Sequence, residues 1–211
     1  HRRLRSWGMN TVANWSNRDV ARMRRTPYVA TINFKSRLLE GSSGYWGKFR
    51  DVFDESFERE LARRMEAERG QSAGDPWCVG YFVDNEIAWG NETSLALGAL
   101  KSPPDQPAKK AFIDELRTRH QTIDKLNAAW ATKYASWQAM IDDTDPKVDA
   151  TKAKADLEAF YTRTADRYFS VIRAAVKKVA PNQLYLGCRF AWVNPLAAQA
   201  GARHCDVVSY N

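Results

Sequence analysis

The sequence predicts an α/β fold, part of a (β/α)8 barrel, on three observations. Short apolar runs alternate with amphipathic helical stretches along the 211 residues, the pattern of a parallel sheet with right-handed helical crossovers. Neither a Gly-x-Gly-x-x-Gly motif nor a P-loop follows any of these runs, which disfavours a nucleotide-binding sheet. Nothing recurs at a period of about 20–50 residues, so a solenoid is excluded.

The elements follow in order. Leu4 and Trp7 end a helix that Gly8 can cap, and residues 9–13, with Thr11 and Val12, read as a strand. Residues 19–25 read as a short helix broken by Pro27, and residues 28–34 as a second strand. Residues 35–48 form a long loop rich in Gly and Ser, a kind of segment that tends to carry function. Asp54 can cap a helix carrying Phe57, Leu61 and Met65, closed by Gly70. Residues 79–83 are apolar enough for a strand buried on both faces.

Residues 91–100 show no clear pattern. Three helical pieces follow, around Phe112, after Thr122 and after Ser136. Residues 153–179 are the longest periodic segment, and their aromatic stripe reads as core packing rather than a cofactor box. Strands at 184–190 and 206–210 flank a short helix at 195–202.

Net charge is +7, from 32 basic and 25 acidic residues. Seven of the Arg, against Asp19 alone, lie in residues 1–25. They accompany no nucleic-acid-binding motif and read as the solvated faces of two helices, so no nucleic-acid partner is expected. No apolar run in these residues reaches the roughly 18–20 residues of a membrane span, and no signal peptide is expected within them. The chain starts at His1 and stops just after an apolar run, so a fragment truncated at both ends is the expectation. Cys78, Cys188 and Cys205 lack metal or disulfide spacing and fit buried reduced thiols, which leaves the compartment open. A secreted or periplasmic place is expected only for a complete parent.

Residues 77–90 organise the rest. A buried strand there ends abruptly in Asp84-Asn85-Glu86, with Trp89 just beyond. An ionised carboxylate is costly to desolvate unless paired or protonated. Acids that simply face water at a strand end are the plain alternative. In a barrel the strand C-termini build the active site. Here they would bring Asn14, Trp15, Asn33, Asn85, Glu86, Trp89, Arg189, Trp192, Tyr210 and Asn211 together. Amides and Arg pair with hydroxyls while aromatic rings pack on sugar C–H faces, so the set suits a carbohydrate. Too few carboxylates or His are at hand for a metal, and His1, His120 and His204 are poorly placed as bases for a Ser or Cys nucleophile. Acid/base work by one carboxylate survives, with no cofactor.

The run Gly80-Tyr81-Phe82-Val83-Asp84-Asn85-Glu86 resembles the Asn-Glu signature of the retaining glycoside hydrolase clan that includes the β-galactosidases. With SWGMNTVANWS at 6–16, WGKFRDVFD at 46–54, TIDKLNAAW at 122–130 and CDVVSYN at 205–211, the chain is most similar to family-50 β-agarases and, more loosely, to family-42 β-galactosidases. The resemblance runs end to end and implies barrel strands two to six of a single catalytic domain. It implies that Glu86 is the general acid/base, that Asn85 binds the 2-hydroxyl of a β-linked galactan, and that Tyr210 contacts the nucleophile. That nucleophile would be a Glu on the seventh strand, beyond residue 211, so the fragment alone should be inactive. Retaining chemistry needs the two carboxyls about 5–5.5 Å apart. One departure stands out: Ala13-Asn14-Trp15 replaces an Arg that many clan members carry, and Arg189 is the candidate for the missing cation. The competing readings are a non-catalytic carbohydrate-binding barrel and, remotely, nucleic-acid binding through the Arg-rich start.

Overall fold

The computed structural model describes residues 2–211. Three strands, β1 (Tyr28–Ile32), β2 (Cys78–Val83) and β3 (Leu184–Tyr185), form one parallel sheet in that order. β1 and β2 run in register from Tyr28 beside Cys78 to Ile32 beside Val83, with one irregularity after Tyr28. Before β1 lie α1 (Arg2–Ser6) and α2 (Arg18–Arg22), and between β1 and β2 lies α3 (Glu55–Glu66). The connection from β2 to β3 holds α4 (Ser94–Leu100), α5 (Pro107–His120), α6 (Ile123–Trp130), α7 (Trp137–Asp142) and α8 (Lys154–Val179); α9 (Pro195–His204) follows β3.

Local chemistry sets the helix starts. Asp54, Thr122, Ser136 and Asn194 each accept a hydrogen bond from a backbone N–H in the first turn of α3, α6, α7 and α9. The long α8 buries Leu157, Phe160, Tyr161, Thr164, Tyr168, Phe169, Ile172 and Val176 along one stripe, packed against α3, α4 and α9. Below it, the Asp156 carboxylate ties three helices together. It accepts from Trp130 Nε1 at 2.7 Å and faces His120 Nε2 at 2.8 Å. Burial works against its charge, but the Trp130, His120 and Arg119 donors outweigh it and hold the carboxyl below its usual range.

Three expected strands are shorter or absent. Residues 9–13 make a single parallel bridge, Val12 to Tyr28. The strand expected over 184–190 ends at Tyr185, because the chain turns at Gly187 (φ +79°) and Arg189 (φ +47°). Residues 206–210 make one parallel bridge, Tyr210 to Phe190. The patternless segment before Pro103 holds α4, whose Leu95, Ala96, Gly98, Ala99 and Leu100 are all buried. The helix expected over 19–25 stops at Arg22, ahead of Arg24 in a left-handed conformation. Cys78 and Cys188 are buried and Cys205 is half-buried, all as free thiols.

Candidate active site

The end of β2 is hydrogen-bonded on both sides. Asp84 N–H donates to Ile32 O at 3.0 Å, Val83 N–H to Gly187 O at 3.0 Å, and Glu86 N–H to the carbonyls of Cys188 and Arg189, both at 3.2 Å. This frame holds Asp84 (φ +59°) and Glu86 (φ +50°) in left-handed conformations that L-residues seldom adopt. Arg189 shares that conformation across from them. Strained backbone therefore collects where the chemistry was expected.

Glu86 is largely enclosed, its side chain 13% exposed. Its Oε1 accepts from Arg189 Nη1 at 2.7 Å and from Asn211 Nδ2 at 2.9 Å. Its Oε2 accepts from Trp46 Nε1 at 3.1 Å. Arg189 also donates to Asn85 Oδ1 at 2.9 Å and to Asn211 Oδ1 at 2.6 Å, which closes a ring of polar contacts. Because Asn85 Oδ1 is used this way, its NH2 group is left to donate outward. Tyr210 lies over the rim, 58% exposed, with its ring 5.5 Å from Phe190.

Asp84 plays a different part. It is buried, and its carboxylate receives a fork from Arg50, with Nη2 to Oδ1 at 2.7 Å and Nε to Oδ2 at 3.0 Å. Tyr168 Oη donates to its other face at 3.0 Å. Arg50 is further fixed by Phe34 O at 2.6 Å and by the Phe34 ring, 4.1 Å away. Burial first, and then the Asp84 charge, push the Tyr168 hydroxyl well above its ordinary range, so it stays a neutral donor. Burial also opposes the charge on Arg50, and the hydrogen bonds to Asp84 more than restore it.

The predicted residues divide. Asn85, Glu86 and Arg189 come together, with Tyr210 at their margin. Trp89 does not offer a sugar platform: it is 1% exposed, stacked on Phe169 at 5.2 Å and edged by Phe49, Tyr168 and Phe190. It is the packing floor beneath the segments that carry Glu86, Arg50 and Arg189. Asn14 turns its Oδ1 to Thr31 Oγ1 at 2.8 Å and keeps a buried Nδ2 without a partner. Trp15 is 72% exposed and Asn33 is exposed, and among the described residues neither is hydrogen-bonded to Glu86. A cavity of about 650 Å³ runs past Asn14 and Trp15 along the edge of β1 towards Asp75, away from Glu86.

Sequence reasoning missed Trp46 and Arg50 as parts of the site. Trp46 lies on the long loop of residues 35–48 and Arg50 two residues beyond it, and a buried Asp84 requires a cation from somewhere.

No protein-family model matches the chain. Over 99% of its length it is 35% identical to β-agarase B of Vibrio sp. (strain JT0107). It superposes on the solved structure of an exo-β-agarase with a TM-score of 0.89 at 30% identity, covering 99% of this chain and 31% of that one. The chain resembles the family-50 β-agarases from end to end. PfGH50B agrees, with a TM-score of 0.89 at 27% identity over 99% of this chain and 31% of that one. A β-galactosidase from Halorubrum lacusprofundi shares the fold alone, with a TM-score of 0.63 at 16% identity over 97% of this chain and 36% of that one. This agarase-like chain spans about a quarter of its curated relative, 23% of β-agarase B.

Proposed function

We propose that this chain is the acid/base part of a retaining β-glycosidase acting on β-galactans of the agarose type, with Glu86 as the general acid/base. The observation that supports this most is Glu86 itself: a largely enclosed carboxyl on strained backbone at the end of a parallel strand, ringed by Asn85, Arg189, Asn211 and Trp46. Likeness to β-agarases over the whole chain supports the substrate class. In this reading the chain is one arc of a (β/α)8 barrel. Val12 bridges β1, β1 pairs with β2, β2 with β3, and Phe190, just beyond β3, bridges Tyr210, each pairing parallel and in chain order, as a barrel wall requires.

The chemistry follows from two carboxyls. Glu86 gives a proton to the glycosidic oxygen as the C–O bond breaks, while a second carboxylate takes the anomeric carbon; Glu86 then activates the water that releases the sugar with retained configuration. Asn85 holds a ring hydroxyl through its free NH2. Among the described residues, the side chains hydrogen-bonded to the Glu86 carboxyl are an Arg, an Asn and a Trp. We assign the second carboxylate to the remainder of the complete protein, so these 211 residues alone turn over nothing.

Glu86→Gln in the complete protein tests the reading. A loss of about 10²–10⁴-fold on a β-galactan is expected, the usual worth of general acid–base catalysis. Unchanged activity overturns it, and a first-formed product of inverted anomeric configuration overturns the retaining mechanism.

A further inference from the structure

Two large aromatic side chains, Trp46 bonded to Glu86 and Tyr45 beside it in sequence, stand exposed rather than packed into the core. Tyr45 is 81% and Trp46 68% exposed, and their rings meet edge to face with centroids 4.7 Å apart. The loop that displays them is firmly docked. Leu39 N–H donates to Phe49 O at 2.8 Å, Asp51 N–H to Arg37 O at 3.0 Å, and Ser42 Oγ bridges Phe49 N–H and Leu39 O. A Cβ on Gly41 would lie 2.2 Å from Gly98 O of α4, and one on Gly44 2.0 Å from Ala88 Cβ, so the loop sits flush on both neighbours. Arg50 then clamps its far end to Asp84.

The hydrogen bonds also distinguish the two oxygens of Glu86. A carboxylate oxygen has about two acceptor sites. Those of Oε1 are filled by Arg189 and Asn211, on the side where Asn85 stands. Among the described residues, Oε2 receives the indole N–H of Trp46 and no second donor, which leaves one site open. The open site is where a proton can reside and leave.

We propose that Trp46 and Tyr45 form the subsite for the sugar ring on the leaving-group side of the cleaved bond, and that Glu86 Oε2 is the oxygen that delivers the proton there. The inference rests on the acid/base reading of Glu86. The C–O bond breaks, its electron pair stays with the leaving sugar's oxygen, and that oxygen takes the Oε2 proton. The anomeric carbon goes to the carboxylate nucleophile. Trp46 thus has two tasks, its face under the departing sugar and its N–H on Glu86.

The test uses the complete protein and two substrates: a β-galactan oligosaccharide, and the glycosyl fluoride with the same glycone and no sugar on the leaving side. Trp46→Ala should raise KM for the oligosaccharide about 10-fold, as loss of an aromatic stacking partner does, and leave KM for the fluoride within about 2-fold. Trp46→Phe keeps a ring and loses the N–H, so it should restore most of the KM and lower kcat a few-fold. An unchanged oligosaccharide KM in Trp46→Ala, or an equal rise for both substrates, overturns the subsite. Activity surviving in Glu86→Gln defeats the parent reading instead, so the two failures are told apart.

Discussion

Asp84 and Glu86 stand two residues apart with opposite surroundings, and the difference assigns their roles. Asp84 is buried and locked between Arg50 and Tyr168, whereas Glu86 Oε2 accepts a single hydrogen bond among the described residues. The Arg50–Asp84 pair positions the site by joining the loop to the end of β2. Arg50→Met should therefore strand a buried charge, at a cost of about 3–5 kcal/mol, read as a lower denaturant midpoint. Adding Asp84→Asn should recover part of that loss; an unaffected midpoint in the single variant would deny the pair its structural role. The sequence pointed to Asn85 and Glu86 because an acid at the end of an apolar run is unusual. It misdirected on Trp89, because an indole beside a carboxylate reads the same whether it faces a sugar or Phe169.

Among the elements, the loop before α3 carries, in the proposed reading, more of the site than any regular segment except the end of β2. Its rigidity depends on close backbone approach, so Gly41→Ala must displace either the loop or α4. A loss of about 1–3 kcal/mol is expected, as for other overpacked sites, with Trp46 losing its register on Glu86. Unfolding of the variant against the parent measures the first effect, and its KM for oligosaccharide the second. Helix starts were legible because a cap is a local matter, as at Asp54, Thr122 and Ser136. α4 was not, because a helix buried nearly all round shows no periodic polar face. The segments around Val12 and Tyr210 look like strands in sequence, yet each makes one bridge, since pairing depends on what lies alongside and not on residue type.

At the scale of the whole molecule, the basic balance is concentrated in exposed Arg of the first 25 residues, and Arg18, Arg22 and Arg24 face Glu68, Asp19 and Asp75. A titration that bears on stability lies at the other end of the chain. Asp206 joins β3 to the last segment by accepting from Tyr185 N–H at 2.8 Å, with Lys177 at 2.7 Å and Arg173 at 2.9 Å. Burial opposes its charge, but these donors outweigh it and bring the carboxyl down to about 2 from 3.8. A folded value below the unfolded one stabilises above pH 4, and the benefit is lost as pH falls from about 4 to 2. Asp206→Asn should remove about 2 kcal/mol at neutral pH and flatten the acid limb of stability between those values. An unchanged acid limb would contradict that role. The parallel order of the sheet was legible from the alternation of elements, and so was the meeting of Glu86 with Arg189 and Asn211 at neighbouring strand ends; Trp46 was not, because a loop between strands carries it there.

The central claim is that Glu86 protonates the leaving oxygen. It is tested most directly by comparing Glu86→Gln with the parent on two substrates of the complete protein, a β-galactan and a galactoside whose leaving group needs no proton. A general acid predicts a loss of about 10²–10⁴-fold on the first and a far smaller loss in the bond-breaking step on the second. Equal losses on both, or none on the galactan, would contradict it.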